Sequence, residues 1–321
     1  MIKSEFIEIH AVSLSSMGGM QILENFVKFY GNKKIKLWVK TRQQIEKLDL
    51  PKNVEICDYS FFAFMKKTNF KRVIVYMNGI VLVRPPNSDT ILFIQNALYF
   101  SKYRSLSLRG KIRKAAFRFT TLFMGKNDQV MVQTNYMRNL FTLYVGRKIK
   151  VAVLGAKHPI NNLHLAGNLL RIQSRSVANA FIYPTSPRSH KNNEKLVELW
   201  AELSKSLPQI PLLYLTIRQS DLRTGCDNIN HNKIKFLGPL TQEELFHQLI
   251  DKVVIFVSSS ETLGLPIFEA ISLSRPIVIL DADYSKEYEN IDLRLANLSE
   301  DELIKMFNDL TQKNMLNLEI V

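Results

Sequence analysis

Two glutamates, Glu261 and Glu269, bracket the segment Glu-Thr-Leu-Gly-Leu-Pro-Ile-Phe-Glu. A strand-like run from Lys252 to Val257, apolar after the lysine, and a polar turn, Ser258-Ser259-Ser260, come before it. Pro266 suits the first position of a helix, where a missing N–H carries no penalty. Ile267, Phe268, Ala270 and Ile271 carry that helix on. The local order is therefore strand, glycine-bearing loop, helix N-terminus. Unpaired amides and the positive end of the helix dipole make such a place an anion site. Ionised carboxylates only accept hydrogen bonds, so the two glutamates cannot hold the anion; they suit hydroxyl groups. Donors for phosphate beside acceptors for several hydroxyls point to a sugar nucleotide.

The glutamate spacing alone is a common pattern. Joined to the preceding strand, the central Gly264-Leu265-Pro266 and the following Arg275-Pro276-Ile277-Val278-Ile279, it resembles the donor site of retaining glycosyltransferases of family four. These have the two-domain B fold (GT-B), and the likeness is to the bacterial polysaccharide-assembly type. The resemblance implies that Glu269 binds the ribose hydroxyls and Glu261 the hydroxyls of the transferred sugar. It also implies that the amides of Thr262, Leu263, Gly264 and Leu265 approach the diphosphate. An ordinary strand–helix unit with solvated glutamates is the alternative reading.

Three further loops carry the resemblance. Gly18-Gly19 follows the first strand and precedes a helix over 20–30, where glycine lets backbone and ligand approach closely; a plain turn is the alternative. The loop Tyr183 to Asn192 resembles the one whose Arg and Lys bind the donor phosphates. Lys191 matches the lysine, whereas the family's arginine falls on Ser186 here and Arg188 stands three before the lysine. Cations there would stabilise charge on the departing diphosphate, against the bland reading of a solvated basic turn. Phe236 to Leu240, with Gly238, resembles the turn that lines the nucleobase. Where many relatives carry a first-domain histidine, this chain has Gln95 and Asn96, which hydrogen-bond but cannot act as a base near neutral pH. They are expected on the acceptor side. Retention in the family needs no protein nucleophile, and with Lys191 and amides on the diphosphate no metal is expected. A UDP-sugar is preferred to a GDP-sugar.

Short apolar runs read as strands of parallel sheets. The sequence predicts strands at 6–14, 35–39, 54–57, 72–76, 91–94, 130–133 and 149–154, with helices at 20–30 and 107–123. It then predicts strands at 180–183, 212–216, 234–237, 253–257 and 276–280, with helices at 193–206, 242–249 and 266–273. Ser299 reads as the N-cap of a last helix over 300–310. Two rounds of alternation predict an α/β protein of two Rossmann-like, doubly wound domains facing across a cleft. These span 1–165, for the acceptor, and 166–321, for the nucleotide sugar, joined somewhere in 159–179.

The chain has 321 residues and a net charge of +14. Between Thr90 and Asn193 stand seventeen Lys and Arg and one acid, Asp128; the rest is nearly balanced. Such a field favours anionic partners. Seven bases and no acid lie between Lys102 and Arg118. On a helix, Leu108, Ile112, Ala115, Ala116, Phe119, Leu122 and Phe123 form one stripe, which reads as the core face. Arg109, Lys111, Arg113, Lys114 and Arg118 flank or oppose it, with Phe117 among them. A basic face carrying an aromatic fits shallow insertion between anionic head groups; a core helix with a solvated basic face is the alternative. No apolar run is long enough for a membrane span, and the start MIKSEFIEIH reads as a first strand, not a signal peptide. Cys57 and Cys226 are too isolated to suggest a disulfide or metal site.

These features together suggest a cytoplasmic enzyme, peripheral on the inner face of the cell membrane. It would transfer a hexose to a lipid-linked saccharide during surface polysaccharide assembly. A catalytically silent partner subunit and a sugar-nucleotide epimerase remain alternatives. Nucleic acid is not expected as a partner, since Tyr99, Phe100 and Tyr103 form the one cluster of several aromatics interleaved with bases, and core packing explains them equally.

Overall fold

The computed structural model describes residues 2, 4–14, 17–77, 81, 84–95, 108–145, 149–153, 177–207, 209–222 and 232–317. The chain divides into two compact units, Met1–Asn161 and Asn162–Val321.

Unit 1 runs β1 (Phe6–His10), α1 (Met17–Phe29), β2 (Lys34–Val39), β3 (Val54–Asp58), α2 (Phe61–Met65), β4 (Arg72–Met77), β5 (Ser88–Ile94), α3 (Leu108–Leu122), β6 (Gln129–Val132), α4 (Asn135–Val145) and β7 (Lys150–Val153). Its sheet has the order β3-β2-β1-β4-β5-β6-β7, every pairing parallel. Ile74, Val75, Tyr76 and Met77 are all buried, because helices cover both faces of the sheet. Ile7, Ile9, Val75 and Phe93 pack with Leu23, Phe26 and Val27 of α1. The alternate residues Ile74, Tyr76, Leu92 and Val132 pack with Phe64 of α2, Phe117 of α3 and Phe141 of α4. A buried ion pair locks the centre of the sheet. Glu8 on β1 accepts from the Arg72 guanidinium on β4 and from the Trp38 indole on β2, while Arg72 also donates to the Phe64 carbonyl.

Unit 2 runs β8 (Ala180–Tyr183), α5 (Asn193–Ser206), β9 (Leu212–Leu215), β10 (Ile234–Phe236), α6 (Gln242–Leu249), β11 (Val253–Phe256), α7 (Leu265–Ser272), β12 (Ile277–Leu280), β13 (Leu293–Leu295) and α8 (Glu300–Gln312). Its parallel sheet has the order β10-β9-β8-β11-β12-β13. Ser299 caps α8 as its sequence predicts, its hydroxyl accepting from the Glu302 amide. Thr241 and Glu244 cap α6 reciprocally. In both sheets the first strand lies between the second and the fourth. Successive connections diverge there, and the crevice at the carboxyl ends of those strands is where such sheets hold ligands.

The structure departs from the sequence reading in three respects. α1 begins at Met17, so Gly18 and Gly19 lie in its first turn, not in a loop ahead of it. First-turn amides have no intrahelical acceptor, so glycine costs the helix little there. The elements α2 and α4, and the short β13, are additions. The third departure is α3, which faces the other way. Phe117 is fully buried against Phe141 and Tyr144, so it cannot reach a membrane. Thr120 and Thr121 turn inward with it, their hydroxyls bonding to the Val81 and Arg118 carbonyls. Leu108, Ile112, Phe119, Leu122 and Phe123, expected in the core, are exposed. Among the described residues no helix is long and apolar enough to cross a membrane.

Candidate functional site

The loops after β8 and β11, the strands flanking the reversal point of the second sheet, are stitched together. The His190 carbonyl accepts from the Ser259 amide at 2.8 Å and from the Ser258 and Ser259 hydroxyls at 3.1 Å each. The Asn192 side chain donates to the Val257 carbonyl at 2.7 Å, and the Tyr183 hydroxyl to the Lys191 carbonyl at 2.7 Å. Asn192 has φ +55°, a left-handed conformation that asparagine tolerates. These bonds fix the backbone on either side of Lys191. Its ammonium donates to the Glu261 carboxylate and stands 5.0 Å from the centroid of the Phe256 ring. Both partners of the ion pair are only 13% exposed. Lys191 and Glu261, seventy residues apart, thus meet at the reversal point. Arg188, on the same loop, has its side chain in solvent. Burial lowers the His190 imidazole to about 4, so it is neutral at neutral pH.

Gly264, at φ +53°, caps α7. Helix α7 starts at Leu265, which puts Pro266 at the second position, where its missing N–H is equally harmless. An added Cβ at Gly264 would stand 2.8 Å from Ile267 Cδ1 and 2.9 Å from the Tyr288 hydroxyl. That hydroxyl in turn donates to the Leu263 carbonyl. Leu263 is therefore buried and its carbonyl occupied, while Thr262 is half-buried. Gly264→Ala is expected to destabilise the protein by about 1–3 kcal/mol through strain and contact. Urea unfolding measures this, and an unchanged midpoint would show that the loop yields freely.

Glu269 lies one turn into α7. Its Oε2 is shielded from water and has no hydrogen-bond partner. Burial pushes the carboxyl up to about 7, and a bond with the Gln242 side chain only partly opposes this. Gln242 opens α6, directly after the turn that holds Gly238. That glycine has φ +74° and donates its N–H to the Ile217 carbonyl at 3.1 Å. Glu269 therefore ties α7 to the first residue of α6, which follows the 236–240 turn in the chain. Buried acceptors are normally paired. One left open in this way suits a hydroxyl supplied by a ligand.

In unit 1, Gln95 is the first residue past β5 and Gln133 the first past β6, neighbouring strands whose register pairs Ile94 with Val132. Gln95 Nε2 and Gln133 Oε1 are both buried without partners. Gln133 is absent from the sequence-based set of site residues. Its place at the end of the predicted strand 130–133 is legible, but its unpaired amide is not. Asn96 lies outside the described residues. On α3, the side chains of Arg109 and Arg113 likewise lie outside them. Lys114 is half-buried with its amine 5.6 Å from the centroid of the Tyr144 ring, and Arg118 is exposed. Among the described residues no group of three or more His, Cys, Asp or Glu is placed to hold a metal ion.

No protein-family model matches the chain, and no curated protein sequence matches it. Solved structures do. WaaG, a glycosyltransferase involved in lipopolysaccharide biosynthesis, superposes with a TM-score of 0.64 at 14% identity, over 96% of this chain and 91% of that one. HepE from Anabaena, in complex with UDP and glucose, gives 0.65 at 16% identity, over 97% and 91%. Sucrose-phosphate synthase from Thermosynechococcus elongatus gives 0.70 at 13% identity, over 97% and 90%. At these identities the likeness is one of architecture. The chain has the two-domain α/β fold of B-type glycosyltransferases.

Proposed function

We propose that this protein is a retaining glycosyltransferase, moving a hexose from a nucleotide sugar to a polyprenyl-diphosphate-linked saccharide in surface polysaccharide assembly. The observation that carries this reading is Glu269: a shielded, unpaired carboxylate oxygen one turn into α7, beside Gln242 at the start of α6. HepE, similar in fold, binds UDP and UDP-glucose, which favours a UDP-sugar over a GDP-sugar. WaaG, acting in lipopolysaccharide biosynthesis, supports a lipid-linked acceptor and a place at the cytoplasmic face of the membrane.

In this reading Glu269 accepts from the ribose hydroxyls, and the turn at Gly238 lines the base. The amides of residues 262–265 cradle the diphosphate. Lys191 exchanges Glu261 for the diphosphate, which frees Glu261 to accept from the hydroxyls of the sugar. Arg188 has the reach to join it from the same loop. As the bond between the anomeric carbon and the diphosphate oxygen breaks, negative charge grows on the leaving group opposite Lys191. The acceptor hydroxyl bonds to the anomeric carbon on the same face, and its proton passes to the leaving phosphate oxygen. No divalent metal is called for, since the lysine and amides already oppose that charge. Gln95 and Gln133, with Asn96, would hold acceptor hydroxyls; Gly18 and Gly19 would let a ligand approach the start of α1. In a transfer assay with UDP-sugars and a polyprenyl-diphosphate-linked acceptor, NMR of the new linkage is expected to show the donor's anomeric configuration. An inverted linkage would contradict the same-face step, and no transfer from any nucleotide sugar would overturn the reading.

A further inference from the structure

The orientation of α3 exposes a surface. Helices α2, α3 and α4 form one layer, because Phe64, Phe117 and Phe141 anchor them in a single core cluster on one face of the first sheet. The outer side of that layer carries nearly all the exposed large hydrophobic side chains among the described residues. Phe61 and Phe62 project from α2, with Phe62 85% exposed; Ile112 and Phe119 project from α3, with Phe123 directly after it; Leu143, on α4, is 82% exposed. Single exposed apolar residues are ordinary on a protein surface, whereas several on one helix layer, with Phe61 in ring contact with Phe62 and Phe119 with Phe123, mark an interaction site.

The charge of the layer is equally one-sided. None of the three helices contains an aspartate or glutamate. Lys66 and Lys67 after α2, Lys111 and Arg118 on α3 and Arg138 on α4 are exposed. The one acid in the basic third, Asp128, is buried and engaged by Arg84 and by the Thr90 and Gly125 amides. Apolar tips rimmed by unopposed cations have a specific complement: hydrocarbon under a layer of negative charge. A second copy of this face would bring cation against cation. Nucleic acid would leave Ile112 and Leu143 against phosphates with nothing to gain.

We infer that the outer face of α2, α3 and α4 docks this protein on an anionic lipid bilayer, with Ile112, Phe119 and Phe123 entering the head-group region. This deepens the lipid-linked acceptor in the reading above, and rests on it only for its purpose. It also reverses the orientation that the sequence suggests, with the α3 stripe in lipid and Phe117 in the core.

The test is sedimentation of the full chain with vesicles of phosphatidylcholine and phosphatidylglycerol at about 7:3, against phosphatidylcholine alone. Binding to the anionic vesicles is expected to be at least about tenfold tighter, and to weaken with salt. The triple variant Ile112→Ser, Phe119→Ser, Phe123→Ser is expected to lose about tenfold or more in binding while keeping its unfolding midpoint and its UDP-sugar affinity. A second variant, Lys111→Gln with Arg118→Gln, should weaken binding to anionic vesicles only. Three results would overturn the inference: equal partitioning of parent and triple variant, no preference for anionic vesicles, or a lipid-free dimer that the triple variant abolishes. Preferential capture by nucleic acid that displaces the vesicles would overturn it too. Loss of UDP-sugar binding in the parent would strike the donor site and leave this surface standing.

Discussion

Lys191→Met is expected to lower kcat for sugar transfer roughly 100- to 1,000-fold, the usual effect of removing one preorganised charge opposite a developing anion. Lys191 is the cation that the structure fixes at the reversal point of the second sheet, through the Tyr183 hydroxyl and the paired loops. Its present partner is Glu261, and both are largely shielded from water. Removing the cation alone strands a shielded carboxylate, which commonly costs about 3–5 kcal/mol. The single variant should therefore be both slow and less stable. The double variant Lys191→Met, Glu261→Gln separates the two effects. It is expected to recover most of the stability and none of the activity. Recovery of transfer along with stability would mean that the pair is structural.

Glu269→Gln is expected to make the protein more stable and less able to bind its donor. The carboxyl sits near 7 in the folded chain, against an ordinary value of 4.5, because burial disfavours its charge. The sign follows from linkage. Its contribution to stability is full below pH 4.5 and is lost as the pH rises through 7, since folding then has to bury the ionised form. The whole effect is at most about 3.5 kcal/mol, at about 1.4 kcal/mol per pH unit of displacement. Thermal unfolding should show parent and variant close together at pH 4.5, with the variant higher by pH 8. The amide leaves at most the same one polar atom unpaired, so the gain is not offset. Donor binding moves the other way, because charge-assisted bonds to ribose are replaced by neutral ones. Stability given up at a functional carboxylate is what a binding site, and not a core, would show.

The unit proposed to hold the donor could be read from the sequence because its chemistry is local. Glu261, Gly264 and Glu269 sit within one strand–loop–helix unit, and residue types alone fix what each can offer. The meeting of Lys191 with Glu261 was not legible, since only the strand order brings residues seventy apart together. The unpaired amides of Gln95 and Gln133 were hidden for the same reason. For α3 the failure was one of direction. Helical spacing shows that Leu108, Ile112, Phe119 and Phe123 share a stripe, but not which way the stripe faces. Phe117 with Thr120 and Thr121 won the inward side, since threonine can return its hydroxyl to backbone carbonyls and so be buried without loss. Helix α2 has five residues and β13 three, too few for any period to register.

Titration of a UDP-sugar against the parent and Glu269→Gln across pH 6 to 8 bears on the whole reading at once. The diphosphate of a sugar nucleotide does not titrate in this range, so any pH dependence reports on the protein. If Glu269 grips ribose as a carboxylate, the parent's affinity should rise about tenfold from pH 6 to pH 8 as the proton leaves. The variant should bind more weakly and with no slope. A parent whose affinity is flat with pH, or a variant that keeps the parent's slope and strength, would place the nucleotide elsewhere or nowhere on this chain.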